Sequence, residues 1–346
     1  LNRRLFYKYL FAGTASLTIA PVVTFSKAKS ATKKKTIRPK RLQTGQTVGL
    51  IAPGSSIDEE RLQKAIQTIQ SLGLKAKYTP NILAERGYLA GTDKQRLSDL
   101  HQMFSDPTVD AVWCIRGGYG CTRLLPFIDY KLIRKNPKIL LGYSDITALL
   151  EAVHQKTGLV GFHGPVAVSE PTDYTLNRLR DILFAPKPEI LITNAKENTD
   201  STEKNYAVKV IRPGKASGKL VGGNLSLVTS LLGTPYQPCV KNKLLFLEDV
   251  GEKPYRIDRM LTQLRQTLDL NKSAGIILGI FADCEGGDRS LTLMETLEDR
   301  LGDLKVPIIY GMSFGHIDHQ FTLPVGINAV LDTQNASIKI LGPAVV

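Results

Sequence analysis

Apolar positions along this chain follow two alternating periods, and the alternation predicts its fold. A short apolar run over 46–52 ends at Pro53-Gly54-Ser55-Ser56, as expected of a buried strand entering a turn. Leu62, Ile66, Ile69 and Leu72 then share one helical face that closes at Gly73, which predicts an amphipathic helix. A second strand is expected over 75–78, and a second helix over 93–104 stopped by Asp106-Pro107. A β-rich run over 109–115 leads into Arg116-Gly117-Gly118-Tyr119-Gly120, and another over 138–142 leads through Ser144 into a helix over 145–155. Strands alternating with helices specify an α/β fold with a parallel sheet covered on both faces.

Over 170–205 the periodicity loosens and Pro, Asn, Asp, Thr and Lys dominate, which reads as a linker or peripheral excursion. A second unit begins near 208–220. It holds a helix over 224–232, a strand over 243–248, a long helix over 255–268, strands over 275–281 and 307–310, and a β-rich end over 325–341. The expected organisation is a first domain over 45–169, a linker over 170–207 and a second domain over 208–346.

The 346 residues are 42% apolar and 22% charged, values of a globular chain long enough for two domains. The net charge of +13 suggests a nucleic-acid partner until its distribution is read. Ten Lys or Arg and no acid fall within residues 1–40, leaving 35 basic and 32 acidic residues beyond them, a net of +3. A basic groove for nucleic acid is therefore not expected. Residues 1–28 join paired Arg3 and Arg4, an apolar run from Leu10 to Phe25 and the small-residue exit Ser26-Lys27-Ala28. That pattern predicts a twin-arginine-like export signal and an extracytoplasmic, periplasmic-type location. Residues 29–44 read as a basic, disordered tether, and no later segment is apolar enough to span a membrane. Cys114, Cys121, Cys239 and Cys284 lack CxxC spacing and read as buried free thiols.

Candidate chemistry lies where strands end. Ser144 sits at a strand-to-helix junction, where a hydroxyl is presented at the carboxyl edge of a sheet and free backbone N–H groups face a developing oxyanion. Helix capping is the competing role for the same serine. The glycines of 116–120 allow the backbone to approach a ligand, but they match no dinucleotide or Walker pattern. A serine nucleophile needs a base. His101 and His154 fall in helical patterns, whereas His163 lies in Gly161-Phe162-His163-Gly164-Pro165 and is placed in a loop after a strand. His316 and His319 flank Asp318 beyond the strand over 307–310, a spacing that also suits a metal, although no H-E-x-x-H helix supports one. Glu248 follows four apolar residues and needs a partner if buried, with Asp249 and Glu252 as rival acids.

Taken together, 116–120, Gly142-Tyr143-Ser144-Asp145, 161–165, Gly222-Gly223-Asn224-Leu225, Leu247-Glu248-Asp249 and Gly315-His316 resemble the LD-carboxypeptidase family of serine peptidases, in order, over about 45–340. That family includes muramoyl-tetrapeptide carboxypeptidases and microcin C immunity peptidases. The resemblance implies a flavodoxin-like first domain, a smaller β-rich α/β second domain, an active site between them and a homodimer. It implies Ser144 as nucleophile, Glu248 as acid and His316 as base, with an oxyanion hole from the N–H of Asp145 and of Gly118 or Gly117. Arg116, Tyr119, His163 and Asn224 are the expected substrate contacts. The implied reaction releases terminal D-alanine from peptidoglycan tetrapeptides without metal or cofactor. A muropeptide-binding protein without turnover and a peptidase that detoxifies a peptide antibiotic are the alternatives. A cysteine hydrolase on the same sheet would need a thiol at position 144, which carries a hydroxyl.

Overall fold

The computed structural model describes residues 35–346. The export signal expected over 1–28, and the tether as far as residue 34, lie outside the described residues. The rest of the expected tether is docked, which corrects that reading. Ile37 donates its N–H to the Gly158 carbonyl and accepts from the Val160 N–H, at 2.8 and 2.9 Å. Leu42 is buried and bonds the Leu183 carbonyl at 2.9 Å. Two apolar anchors suffice to hold a basic stretch against the body.

The first sheet consists of β1 (Thr47–Ile51), β2 (Lys75–Lys77), β3 (Ala111–Cys114), β4 (Ile139–Gly142) and β5 (Gly161–His163), all parallel in the order β2-β1-β3-β4-β5. β3 and β4 are buried at every residue, as required of strands covered on both faces. Strand order reverses between β1 and β3, and ligands of such sheets bind outside the carboxyl ends at that reversal. The loops 53–56 and 116–120 meet there: Ser55 donates its N–H to the Gly117 carbonyl at 3.0 Å, and the Tyr119 N–H donates to Ser55 Oγ at 3.2 Å. Residues 161–163, expected in a loop, form β5 itself.

The second sheet is built from β6 (Glu189–Thr193), β7 (Lys209–Arg212), β8 (Lys215–Asn224), β9 (Lys243–Glu248), β10 (Gly275–Gly279) and β11 (Ile308–Met312), completed by β13 (Asn328–Asp332) and β14 (Ser337–Leu341). Its order is β6-β14-β13-β8-β9-β10-β11-β7, parallel from β8 to β11 and antiparallel at both ends. β12 (Leu323–Val325) returns to pair antiparallel with β5, so the first sheet borrows a strand from late in the chain. The stretch read as a linker holds the helix Asp173–Leu183, capped by Thr172, and the edge strand β6. Leu179, Ile182, Ile190 and Ile192 are buried there, together with the polar Thr175 and Asn198. One continuous apolar core includes Leu140 and Phe162 of the first sheet with Phe246 of the second and Phe314 from the loop after β11. No helix among the described residues is long and apolar enough to cross a membrane.

The contact that brings the two sheets together runs through Gly222 and Gly223, at φ +128° and +144°. A Cβ on Gly222 would stand 2.0 Å from the Phe246 carbonyl oxygen, and one on Gly223 would stand 2.5 Å from Thr147 Oγ1. The Gly222 N–H donates to Glu151 Oε1 at 2.8 Å, and the Asn224 N–H donates to Thr147 Oγ1 at 3.0 Å. Both acceptors lie on the helix Thr147–Thr157 that leaves Ser144. Bare backbone therefore draws β8 onto that helix, and β8 carries β9 with it through the Asn224–Glu248 register. A Gly222→Ala variant must displace backbone, so we expect a loss of at least about 2 kcal/mol. Chemical denaturation checks it, and wild-type stability in that variant would refute the close-approach argument.

Candidate active site

Ser144 follows β4 and opens a single 3₁₀ turn, Ser144–Ile146, that runs into the helix Thr147–Thr157. Its φ of +63° is in the left-handed region, which costs a non-glycine residue about 1–2 kcal/mol. Such strain persists where the surroundings impose a sharp turn, as they do when a nucleophile is lifted off a strand end. Two contacts impose it here. A Cβ on Gly117 would stand 2.8 Å from Ser144 Cβ and 3.1 Å from the Asp145 nitrogen, so a side chain at 117 would collide with the turn. The buried Asp145 carboxylate accepts the Cys121 N–H at 2.8 Å and ties the turn to the end of the 116–120 loop. Burial raises the Asp145 carboxyl above its ordinary value, and the Cys121 N–H opposes that rise.

His316 arrives from the loop after β11. Gly315, at φ +120°, lets that loop press against Glu248: a Cβ there would stand 3.1 Å from Glu248 Oε2. His316 Nδ1 lies 2.7 Å from Glu248 Oε2. The imidazole also packs edge-on against Tyr143, the residue before Ser144, with ring centroids 4.6 Å apart. A group from the end of β9, one from beyond β11 and the turn after β4 thus meet where the two sheets face each other.

The electrostatics of the pair are reciprocal. Glu248 is fully buried, and burial alone would push its carboxyl up. Against burial, the His316 imidazole together with smaller contributions from His163 and Asn224 holds it below the ordinary glutamate value. Burial alone would push the His316 imidazole down, and the Glu248 carboxylate outweighs it and raises it. With Nδ1 committed to the carboxylate, Nε2 is the nitrogen left for chemistry. His316 lines a cleft of about 220 Å³ with Tyr143, Ser169, Thr175, Asp318 and Gln320, and Ser144 is not among the residues that line it.

The rival acids are engaged elsewhere. Asp249 accepts from Asn224 Nδ2 at 3.0 Å and from the Ser226 hydroxyl at 2.8 Å, and burial pushes its carboxyl up to about 6. Glu252 faces Arg256 on the surface. His319 lies 4.0 Å from Glu197 and does not share the site with His316. His101 accepts the Asp129 N–H, and His154 Nδ1 is bonded to the Leu159 carbonyl. Among the described residues, no group of three or more His, Cys, Asp and Glu is gathered as a metal site would need. Of the cysteines, Cys114, Cys121 and Cys284 are buried and unbridged, and Cys239 is exposed, which corrects the expectation for that one.

Two of the four expected substrate contacts lie below the surface. His163 is 1% exposed. Asn224 is buried too, its amide bonded to Asp249 and to the Leu227 N–H that it caps, with a further effect on Glu248. Arg116 is half-buried with Nη1 on the Ser56 carbonyl at 3.2 Å. Tyr119 is exposed beside Tyr88, ring centroids 5.6 Å apart. Sequence reasoning missed Tyr143, Ser169, Asp318 and Gln320, which line the cleft. Only their neighbourhood to Ser144 and His316 in the sequence hints at Tyr143 and Asp318, and nothing local marks Ser169.

Comparison with known proteins agrees with this geometry. Residues 48–164 match the LD-carboxypeptidase N-terminal domain and residues 217–331 the LD-carboxypeptidase C-terminal domain. The chain is 43% identical over 298 residues to a probable murein peptide carboxypeptidase of Bacillus subtilis, covering 86% of this chain and 92% of that one. It is 35% identical to the murein tetrapeptide carboxypeptidase of Pseudomonas aeruginosa, covering 86% of this chain and 98% of that one. The solved structure of MccF in complex with glutamyl sulfamoyl guanosine superposes with a TM-score of 0.81 at 26% identity, covering 89% of this chain and 99% of that one. The strained serine turn, the buried acid–imidazole pair and the two matched domains place this chain in the LD-carboxypeptidase family.

Proposed function

We propose that this protein is a serine-type LD-carboxypeptidase that removes terminal D-alanine from murein tetrapeptides. The observation that carries the reading is the 2.7 Å contact between Glu248 and His316 beside the strained Ser144 turn. In this reading Ser144 Oγ attacks the carbonyl of the diamino acid while His316 Nε2 takes its proton, and Glu248 holds the Nδ1–H. The same imidazole then protonates the departing D-alanine amine, leaving an acyl-enzyme that water hydrolyses. The Asp145 N–H at the turn is one oxyanion donor. The other, in this reading, is the N–H of Gly118 rather than of Gly117: the Gly117 carbonyl accepts from the Ser55 N–H, and a trans peptide directs the following N–H the opposite way, which supports the choice.

The test is incubation with a defined muramoyl tetrapeptide, with mass spectrometry of the product. Loss of one D-alanine is expected, and unchanged tetrapeptide at saturating enzyme would overturn the reading in favour of a binding protein without turnover. The similarity to MccF favours a second reading, cleavage of an aminoacyl sulfamoyl nucleoside by the same acyl chemistry. The two are separated by which substrate has the larger kcat/KM.

The charged pair also sets an expected pH dependence. The base must be neutral in the free enzyme, and its carboxylate partner raises it. The acidic limb of kcat/KM should therefore lie above the ordinary histidine value of about 6.5. A limb below that value would contradict the coupling. Export through residues 1–28 and a homodimer complete the proposal, supported by the charged, apolar and small-residue order of that segment and by the family resemblance. Cell fractionation and sedimentation test them.

A further inference from the structure

We propose that His163 is a positioning residue of this site, which holds the Glu248 carboxylate from the side opposite His316 with its Nε2–H. The inference rests on the hydrolytic reading above and adds a fourth member to the constellation. Glu248 has two oxygens to satisfy in a fully buried place. Oε2 has His316, while Oε1 has no hydrogen-bond partner among the described residues. His163 Nε2 is 3.9 Å away and as deeply buried, beyond hydrogen-bond length, so its N–H acts on the carboxylate as a nearby dipole, beside the Asn224 side chain that also lowers this carboxyl. Both ring nitrogens of His163 also lack a partner. Buried polar atoms without partners are rare, and two that face each other are most simply explained as serving each other.

The surroundings leave His163 little else to do. Its ring meets Phe246, Phe314 and Tyr143 edge-on, at centroid distances of 5.3, 6.2 and 6.2 Å. Phe246 comes from β9, Phe314 from the loop after β11 and Tyr143 from the end of β4. The titratable groups beside it are Glu248, His316 and Tyr143. Burial pushes the His163 imidazole down to about 4, against the opposing pull of Glu248, so the ring is neutral at working pH and carries one proton. Placed on Nε2, that proton turns the positive end of the N–H toward the carboxylate. Placed on Nδ1, it would turn a lone pair on a buried anion. His163 ends β5 of the first sheet and Glu248 ends β9 of the second, so this contact carries the register of one domain to the acid of the other.

The consequence is directional. An N–H dipole aimed at Glu248 disfavours protonation of the Glu248–His316 pair, so removing it should raise the pH at which His316 becomes neutral. In His163→Phe we expect kcat to fall about tenfold to a hundredfold with KM little changed, and the acidic limb of kcat/KM to move to higher pH. His163→Gln places an amide N–H near the Nε2 position and should recover most of the rate, whereas His163→Asn reaches only the Nδ1 position and should not. Introduced into Glu248→Gln, His163→Phe should cost far less than it does alone. A purely structural role predicts an unmoved limb and an undiminished loss in that background, and either result overturns the proposal. One measurement needs neither a variant nor activity. Nitrogen-15 spectra of the wild-type protein should show His163 as the neutral Nε2–H tautomer throughout about pH 5 to 9. An Nδ1–H tautomer, or titration within that range, would overturn it. If the wild type releases no D-alanine, the peptidase reading fails while the tautomer still decides the role of His163.

Discussion

Ser144→Ala should lower kcat/KM for D-alanine release by about 10⁴-fold or more. The variant removes the only atom that forms the acyl bond, and the proposed oxyanion N–H groups and the cleft cannot replace it. It does so at small structural cost. Serine and alanine both carry a Cβ, so the strain at φ +63° is the same for either, and the Cβ that abuts Gly117 remains. Thermal stability should therefore stay close to wild type, and the tetrapeptide should still bind, since binding rests on groups the substitution leaves in place. Rapid-quench mass spectrometry gives the sharper measurement: an adduct on the residue-144 peptide in wild type, and none in the variant. Substantial turnover by a folded Ser144→Ala protein would remove the nucleophile from the mechanism.

Glu248→Gln is the second large effect, about 10³- to 10⁴-fold in kcat with KM little changed. A glutamine fills the same volume but can offer its NH₂ to His316 Nδ1. The imidazole proton is then driven to Nε2, where a lone pair is needed to accept from Ser144. The pH profile supplies an independent sign. In the wild type the carboxylate outweighs burial and raises His316. With the charge gone, burial acts unopposed, so the acidic limb of the residual activity should move to lower pH, opposite to the shift expected for His163→Phe. A limb that stays in place would show that Glu248 does not govern the base.

The candidate positions are legible in the sequence because they sit at or just beyond the ends of strongly patterned elements. β4 and β9 are runs of apolar residues; Glu248 ends β9 and Ser144 stands two residues beyond β4, so both stand out. Gly315-His316 was visible as a turn beyond a strand. His163 and Asn224 were expected as substrate contacts from the family resemblance; in the structure one ends β5 and the other caps the helix Leu225–Ser230. The segment over 170–207 was misread because its buried residues are few and its exposed face is rich in turn formers. Its edge strand alternates exposed and buried positions, a pattern too short to register against that background.

The amino-acid sequence alone determined the alternation of strands and helices and the concentration of net positive charge in residues 1–40, since these follow from local periodicity and composition, whereas the choice of Ser144, Glu248 and His316 rested on the family resemblance of whole motifs. Only the tertiary structure decided that β12 joins the first sheet, that Glu248 rather than Asp249 meets His316, and that a buried histidine stands behind the acid. Those outcomes depend on register between segments far apart in the chain and on the close backbone approach at Gly222 and Gly223. No local pattern encodes which of two adjacent carboxylates will be turned toward an imidazole almost seventy residues away.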